Sequence, residues 1–177
     1  MKGVSVLDTT GQAHQNVIEE WIRRYGDRVL RLCAMWLKDI HLAEDATQET
    51  FLKAWKALPR FTAQNAQSEQ AFIMAIAANT CRDLRRGAWF RHVDRSLQLS
   101  DLPPQIMAVS DEDRSIYLTI LAMPEKHRQV ILLYYYAGLT LKECGQALGL
   151  RASSVHHRLK QAEAHLKTQL EGGLSHA

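Results

Sequence analysis

Apolar residues recur at three- and four-residue spacing along most of the chain, which is the period of an α-helix. From about Gln12 to Leu37 the pattern is interrupted by Gly26, and it predicts either one long amphipathic helix or two abutting ones. A second helix is predicted to begin near His41 and to be closed by Pro59. Apolar and polar residues nowhere alternate long enough to predict a strand, so we expect an all-α fold.

A third helix is predicted from an N-cap at Ser68 to about Arg86. Its first half, FIMAIAA, is apolar on all sides and must be enclosed, whereas its second half, NTCRDLRR, is polar and basic. Further along, RSIYLTILAM predicts an apolar helix, and Pro124 opens another that ends at Gly138. The tyrosines at 134–136 either pack at the core boundary or stack on bases. Packing is favoured, because consecutive helical residues point about 100° apart.

Residues 138–162, GLTLKECGQALGLRASSVHHRLKQA, predict two short helices. Thr140 and Glu143 have the spacing of a capping box, which starts the first helix. Gly149 stands where a left-handed residue ends that helix, and Ser153 is positioned to cap the second. Two short helices joined by a tight turn containing glycine form a helix-turn-helix.

The same stretch poses a choice between a metal site and a nucleic-acid interface. Cys144, His156 and His157 are potential metal ligands, but adjacent histidines on a helix diverge and Cys144 belongs to the buried face of the first helix. The exposed face of the second helix carries donors and cations, which phosphates and base edges accept. These residues are Ser154, His156, His157, Arg158, Lys160 and Gln161. The pattern favours a DNA-reading helix, with a solvated face of a helical bundle as the alternative.

The segment HVDRSLQLSDLPPQIMAVSDED has two prolines and no apolar stripe, which is typical of a flexible linker. The sequence therefore predicts two small helical domains, residues 12–92 and 113–171, joined by an acidic linker at residues 93–112. The net charge is +3, and residues 96–115 hold four acidic side chains and one basic one. The mildly basic flanking units permit a nucleic-acid partner without requiring one.

The composition, 46% hydrophobic and 23% charged, is that of a globular protein with a packed core. The longest apolar run, AFIMAIAA, is far short of the ~20 residues that cross a bilayer, and the first residues lack the apolar region of a secretory signal. The three cysteines are far apart in sequence, which favours small buried thiols over a disulfide framework or a zinc module. We expect a cytoplasmic protein without direct membrane insertion, metal or other cofactor.

Three segments together resemble the extracytoplasmic-function (ECF) group of bacterial sigma factors. They are AEDATQETFLKAW, FIMAIAANTCRDLRR and the stretch from LAMPEKHRQVILLYYYAG through the helix-turn-helix to AEAHL, and they occur in the family's order over about residues 16–170. The resemblance implies a subunit that binds core RNA polymerase, recognises double-stranded promoter DNA at two places and contacts the locally melted strands. It also implies an anti-sigma factor as an inhibitory partner. No catalytic triad, glycine-rich phosphate loop or metal-ligand spacing indicates an enzyme.

The resemblance further implies roles for individual residues. Binding to the largest polymerase subunits is implied for residues that share one helical face and offer acceptors to a basic partner, namely Asp45, Gln48 and Glu49. Contact with the minus-ten promoter element is implied for Phe61, Asn79, Arg82, Asp83, Arg85 and Arg86. Contact with the minus-thirty-five element is implied for Arg151, Ser153, Ser154, His156, His157, Arg158, Lys160 and Gln161.

Within the minus-ten set, the loop at residues 61–67 would hold a base swung out of the stack. Asp83 is an acid among arginines, so we expect it to orient Arg86 or Asn79, or to accept from a cytosine amino group.

The chain departs from its relatives at three commonly basic positions, which are Ala78, Gln161 and Glu163. Because each phosphate that is neutralised adds roughly 0.9 to the salt slope, the slope is expected to be shallow. His156 and His157, with an ordinary pKa of ~6.5, are expected to bond bases more than phosphates. Two other functions stay open at this point: a dimeric helix-turn-helix regulator that binds DNA alone, and a helical interaction module that retains only the fold.

Overall fold

The computed structural model describes residues 5–62, 66–86 and 111–174, and every regular element in these ranges is helical, as predicted. In chain order the elements are α1 (Ser5–Leu37), α2 (Ile40–Ala57), a 3₁₀ turn (Leu58–Arg60), α3 (Ala66–Arg86), α4 (Asp111–Ala122), α5 (Glu125–Ile131), a π-helix (Leu132–Tyr136), α6 (Leu141–Leu148) and α7 (Ala152–Leu174). The predicted linker, residues 93–112, lies outside the described residues except for its last two, which begin α4.

Helices α1, α2 and α3 pack around a common apolar core and form an N-terminal lobe. α1 runs through Gly26 without a break, so the prediction of one long helix is the correct alternative. α2 follows a tight turn at Lys38 (φ 55°), and its N-cap Asp39 accepts a hydrogen bond from the Leu42 amide at 3.0 Å. The first half of α3, which was predicted to be enclosed, buries Ile73, Met74, Ala77 and Ala78 in the core, while its other residues, Phe72, Ala75 and Ile76, are only partly buried against it.

The cysteines are buried thiols, as the sequence predicts. Cys33 on α1 and Cys81 on α3 meet in the N-terminal core, although they are distant in sequence. Burial raises the pKa of the Cys81 thiol, and the hydrogen-bonded Cys33 thiol raises it further. In the other lobe, burial raises the pKa of Cys144 to about 12. Thiols with raised pKa values are poor nucleophiles and poor metal ligands at neutral pH.

The remaining helices form a C-terminal lobe in which α5 and α6 pack against α7. Pro124 precedes α5, and its carbonyl accepts hydrogen bonds from the amides of His127 and Arg128 at 2.9 and 3.0 Å. After Ile131 the helix widens into the π-helix, in which the Ala137 amide donates to the Leu132 carbonyl at 2.8 Å. The sequence pattern did not predict this widening. Gly138 then takes a positive φ of 74°, and the chain turns toward α6.

The helix-turn-helix forms as predicted. Thr140 and Glu143 make both hydrogen bonds of the capping box at the start of α6, and Gly149 ends the helix with φ 68°. The turn is tight, because the Leu150 amide donates to the Gly145 carbonyl at 2.8 Å. A Cβ on Gly145 would stand 2.6 Å from the Leu150 carbonyl oxygen, so this position requires glycine.

The two serine caps are wrong predictions. α3 begins at Ala66, so that Ser68 lies inside its first turn. α7 begins at Ala152, and Ser153 likewise lies within the first turn. The physical reason at α7 is that the Arg151 carbonyl already accepts from the Val155 amide at 3.1 Å, which starts the helix before Ser153.

The lobes pack directly on each other, with α1 and α3 on one side and the π-helix and α6 on the other. Their buried apolar residues form one continuous cluster. Across the stretches that the structure covers, no helix has both the length and the apolarity needed to cross a membrane.

Candidate nucleic-acid and protein interfaces

Helix α7 has one buried apolar face and one exposed polar face. Val155, Leu159 and Ala162 lie in the core of the C-terminal lobe. All residues predicted to contact the minus-thirty-five element lie outside that core. Half-buried Arg158 is accompanied by the exposed residues Arg151, Ser153, Ser154, His156, His157, Lys160 and Gln161. The surface around His157 is therefore open to a partner.

Glu163 places a fixed negative charge at one end of the α7 face. Its carboxylate accepts a hydrogen bond from the Tyr135 hydroxyl at 2.6 Å, and this bond lowers the pKa of Glu163. The Lys160 ammonium lies 3.5 Å from the other carboxylate oxygen. Because Lys160 is drawn to Glu163, the cationic character of this face is weaker than the list of basic residues suggests.

The tyrosine run contains one packed ring and two exposed ones. Tyr136 is half-buried and packs between the lobes, as the packing interpretation predicts. Tyr134 and Tyr135 are exposed and lie edge to face, with ring centroids 5.1 Å apart. Tyr135 also borders an apolar groove of the C-terminal lobe, which is lined by Ile116, Ile120, Ile131, Leu166 and Leu170 together with Glu163 and Lys167.

Helix α2 presents the acceptors that were predicted to meet the polymerase. Asp45 and Gln48 are exposed, and the Glu49 side chain is 45% exposed. The Glu49 carboxylate lies 3.7 Å from the Lys53 ammonium one turn further along the helix. None of the three acceptors is enclosed in the lobe, so this face is open to a basic partner.

An apolar groove between α1 and α2 adjoins Gln48. Three of its apolar side chains are well exposed: Ile22 by 47%, Leu52 by 41% and Trp55 by 50%. Ile22 and Trp55 nevertheless fall at the three- and four-residue spacing of apolar residues that predicts core positions. The other lining residues are Ile18, Gly26, Asp27, Leu30, Thr47 and Phe51. Sequence reasoning missed this groove. In the sequence, such a groove is indicated only by apolar residues that cover more of a helix's circumference than packing against one core requires.

Phe61, the aromatic residue of the predicted minus-ten loop, is held in an aromatic cluster. Its ring stacks on Phe72 with centroids 4.2 Å apart and meets Trp21 edge to face at 5.5 Å. These contacts fix the start of the loop against α1 and α3. Positions 63–65 of that loop lie outside the described residues.

Of the roles expected for Asp83, the pairing with Arg86 or Asn79 is a wrong prediction, whereas contact with a cytosine amino group stays a prediction. Its carboxylate lies 3.9 Å from the Lys53 ammonium of α2, which also donates to the Thr80 hydroxyl at 3.3 Å. The pairing with Arg86 or Asn79 was expected from their proximity in sequence, but the packing of α2 on α3 brings Lys53 to the same place. Asn79 is half-buried and Arg86 is exposed.

Two predicted minus-ten cations contact the other lobe. The Arg82 guanidinium donates to the Ala147 carbonyl of α6, and Arg85 forms an ion pair with Glu125 at the start of α5. Arg82 and Arg85 are half-buried as a result. The sequence contains no signal for these contacts, because they join residues from opposite sides of the linker.

Metal binding has little support in the described part of the chain, where no three of the His, Cys, Asp and Glu side chains group into a possible metal site. Cys144 is buried, whereas His156 and His157 are exposed. The three residues of the metal hypothesis therefore face different surroundings.

His127 on α5 packs against α7 beside His165, with ring centroids 6.2 Å apart. The Gln161 side chain lies close enough to the His127 ring to interact with it, but neither ring nitrogen makes a hydrogen bond of ordinary geometry among the described residues. Burial lowers the pKa of His127, and the positive charge of Lys126 lowers it further. The folded protein therefore favours the neutral ring.

This lowered pKa predicts a loss of stability in mild acid. Because the unfolded chain binds the proton more readily, the contribution of His127 is present above the ordinary pKa of 6.5 and is lost as pH falls through the folded-state pKa. We expect a smaller drop in melting temperature between about pH 7.5 and about pH 5.5 in a His127→Gln variant than in the native protein. Thermal unfolding followed by circular dichroism measures this difference.

The matched control is His41→Gln, at a histidine whose side chain is 91% exposed. It should keep the native pH dependence. An equal drop in all three proteins would contradict the assignment to His127.

The two lobes correspond to two known protein families. The family model of Sigma-70 region 2 matches residues 21–91, and that of Sigma-70, region 4 matches residues 113–166. The ECF RNA polymerase sigma factor SigL of Mycobacterium tuberculosis is 34% identical over 139 residues, which are 75% of this chain and 77% of the relative. SigW of Bacillus subtilis is 26% identical and aligns over 88% of this chain and 90% of its own.

Two solved structures share the fold. CnrH, in a complex with the cytosolic domain of CnrY, matches with a TM-score of 0.60 and 24% identity over 92% of this chain and 94% of its own. The sigma factor RpoE of Bartonella quintana, in a complex with the anti-sigma factor NepR, matches with a TM-score of 0.59 and 18% identity over 86% of this chain and 98% of its own. At these identities the likeness extends to the fold alone.

Proposed function

Because the chain belongs to the ECF group of RNA polymerase sigma factors, we propose that α2 with its adjoining groove binds core polymerase, while α3 and α7 bind promoter DNA. The protein is a transcription initiation factor and not an enzyme. The proposed roles follow the predicted domains. Residues 12–92 bind polymerase and the minus-ten element, and residues 113–171 bind the minus-thirty-five element. Residues 93–112 connect the two lobes.

The observation that carries this proposal is the exposed face of α7. In a helix-turn-helix the second helix enters the major groove, and its side chains reach base edges while neighbouring donors hold phosphates. His156, His157, Lys160 and Gln161 supply donors and acceptors on that face, and Arg151 and Ser153 stand at the helix start, where phosphates bind favourably.

The polymerase contact combines charge and apolar surface. The acceptors of Asp45 and Gln48 lie beside the groove that exposes Leu52 and Trp55. A helical partner with basic residues and a few large apolar side chains satisfies both features, since exposed apolar grooves mark protein contacts and opposite charges set their orientation. We assign this partner to the largest polymerase subunits. A regulator that binds DNA alone has no use for such a surface.

Cytoplasmic placement and control by an anti-sigma factor belong to the same proposal. The assigned role supports a cytoplasmic location, since the polymerase and the promoter are cytoplasmic in bacteria. Two structural neighbours were solved with bound partners, and NepR is named there as an anti-sigma factor.

Run-off transcription with purified core polymerase and a randomised promoter library tests the function. We expect promoter-specific transcripts only when this protein is present, and co-migration of the protein with core polymerase. A protein that shifts the same DNA without polymerase and supports no transcript would instead be a helix-turn-helix regulator. A protein that binds neither DNA nor polymerase would be an interaction module.

The selected promoters then test the reading helix. We expect His156→Ala and His157→Ala each to reduce transcription about five- to 150-fold from promoters that carry the preferred base pair at one or two positions of the minus-thirty-five element, because a base contact is worth ~1–3 kcal/mol at the position that it reads. Single-base promoter variants measure this position dependence. A uniform loss on every sequence would assign these histidines to phosphates, and His41→Ala, at an exposed histidine of the other lobe, serves as the matched control.

A further inference from the structure

We propose that Glu163 is a specificity-determining residue of the DNA-reading face, which lets the Lys160 ammonium contact neutral base edges while it keeps phosphates away from it. The inference rests on the proposed function and deepens it, because it concerns how α7 distinguishes the minus-thirty-five element from other DNA. Two contacts carry it: a hydrogen bond to Glu163 from the π-helix and an ion pair along α7.

Glu163 lies on the same side of α7 as two residues of the proposed reading face. His156, Lys160 and Glu163 follow one another at spacings of four and three residues, so their side chains share one face of the helix. The Glu163 side chain is 32% exposed and that of Lys160 is 67% exposed. DNA that contacts His156 and Lys160 therefore also lies close to a carboxylate.

The carboxylate of Glu163 is held by a residue from outside α7. The Tyr135 hydroxyl donates to its Oε1 atom at 2.6 Å, a length that is typical of a hydroxyl bonded to an ionised carboxylate. This bond lowers the pKa of Glu163, and the nearby Lys160 and His156 lower it further. Glu163 is therefore a fixed negative charge at neutral pH, and Tyr135 holds it beside the reading face.

The other carboxylate oxygen, Oε2, lies 3.5 Å from the Lys160 ammonium. An ammonium has three N–H donors, so this contact leaves donors for the O6 and N7 acceptors of a guanine. A guanine edge is neutral and is not repelled by the carboxylate, whereas a phosphate that approaches the same ammonium meets a like charge. Glu163 thus weakens the phosphate contact that every DNA sequence offers and spares the base contact that only some sequences offer.

A Glu163→Gln variant tests the proposal, because the amide keeps the shape of the side chain and an acceptor for Tyr135 but removes the charge. The whole chain is titrated with two labelled duplexes, one with the minus-thirty-five element selected from the promoter library and one with the same bases in scrambled order. Fluorescence anisotropy measures both affinities from about 50 to about 200 mM salt. Glu19→Gln makes the same charge change at an exposed site of α1 and is the matched control. Circular dichroism verifies that all variants keep the native helix content.

We expect Glu163→Gln to bind the scrambled duplex about three- to tenfold more tightly at the lowest salt, with a salt slope steeper by about 0.9, because the released Lys160 neutralises one more phosphate. The affinity for the selected element should change by less than about twofold, since Lys160 contacts a base there. Glu19→Gln should keep the native slope and the native preference for the selected element. In a Lys160→Ala background, Glu163→Gln should no longer steepen the slope, because the cation through which it acts is absent.

An unchanged slope in Glu163→Gln overturns the proposal, and so does an equal gain in affinity for both duplexes, because Glu163 would then not distinguish phosphates from bases. An equally steep slope in Glu19→Gln also overturns it, since the effect would be one of net charge. Failure of the proposed function is distinguishable. It appears as the absence of promoter-specific transcripts from the native protein with core polymerase, and it leaves the salt slopes on the scrambled duplex intact.

Discussion

A Gly145→Ala variant is expected to lose about 2–3 kcal/mol of stability and most transcription from promoters that depend on the minus-thirty-five element. The added Cβ would stand 2.6 Å from the Leu150 carbonyl oxygen and 3.5 Å from the Ala152 amide nitrogen. Both neighbours belong to the backbone of the turn, so no side chain can move aside. The turn has to open, and α7 has to shift relative to α6.

The expected loss follows from the size of that shift. Overpacking by one methyl group typically costs ~1–3 kcal/mol, and the hydrogen bond from the Leu150 amide to the Gly145 carbonyl is strained in addition. For a chain of this length the melting temperature should fall by about 5–10 °C. Displacement of the reading helix should reduce promoter-specific transcription about tenfold or more, since base contacts depend on sub-ångström positioning.

The matched control is Gly26→Ala, because Gly26 lies in the middle of α1 and an added Cβ meets nothing closer than Ile22 at 4.0 Å. Alanine is the better helix former, so this variant is expected to gain up to about 1 kcal/mol. Thermal and urea unfolding measure both changes. Equal stability of the two glycine variants would show that the turn in solution is wider than in the structure.

A Leu52→Asp variant is expected to bind core polymerase about 30- to 150-fold more weakly, which corresponds to ~2–3 kcal/mol. Leu52 is 41% exposed in the groove between α1 and α2, beside Gln48 and Trp55. An aspartate at this position lowers the stability of the free lobe only slightly, because the side chain is already in contact with water. In the complex it would remove an apolar contact and leave an unpaired carboxylate in a dehydrated interface.

Titration of labelled protein with core polymerase, followed by fluorescence anisotropy, measures this loss. Leu118→Asp is the control, since Leu118 on α4 is 47% exposed and lines neither groove. It carries the same chemical change on the other lobe and should bind within about threefold of the native affinity, as expected for a surface position away from the contact. A loss that is equally large for both variants would show that charge alone, and not the groove, governs binding.

The local chemistry of the helix-turn-helix could be predicted from single residues. The Thr140 and Glu143 capping box, the left-handed Gly149 and the buried face with Cys144 all appear in the structure. Each depends on atoms within about one turn of helix, so the sequence spacing contains all the information needed. For α1 the sequence was less complete, because the pattern interrupted by Gly26 allowed one long helix or two abutting ones, and the structure shows one.

The sequence-based predictions were wrong where a side chain's position depends on residues that are distant in sequence. Trp55 is an apolar residue of α2 but remains 50% exposed, where it lines the groove between α1 and α2. Asp83 turned to Lys53 because α2 packs on α3. The π-helix was also unforeseen, since the residues before Gly138 are equally compatible with an ordinary helix.

The sequence by itself determined that the protein is all-α, which residues begin and end the first helix of the helix-turn-helix, and which face of α7 is polar. Tertiary structure alone decided that an apolar groove stays open beside Gln48, and that Arg82 and Arg85 bind acceptors of the other lobe. The physical reason is range: helix periodicity and capping act between residues three or four apart, whereas these contacts join side chains that only the packing of whole helices brings together.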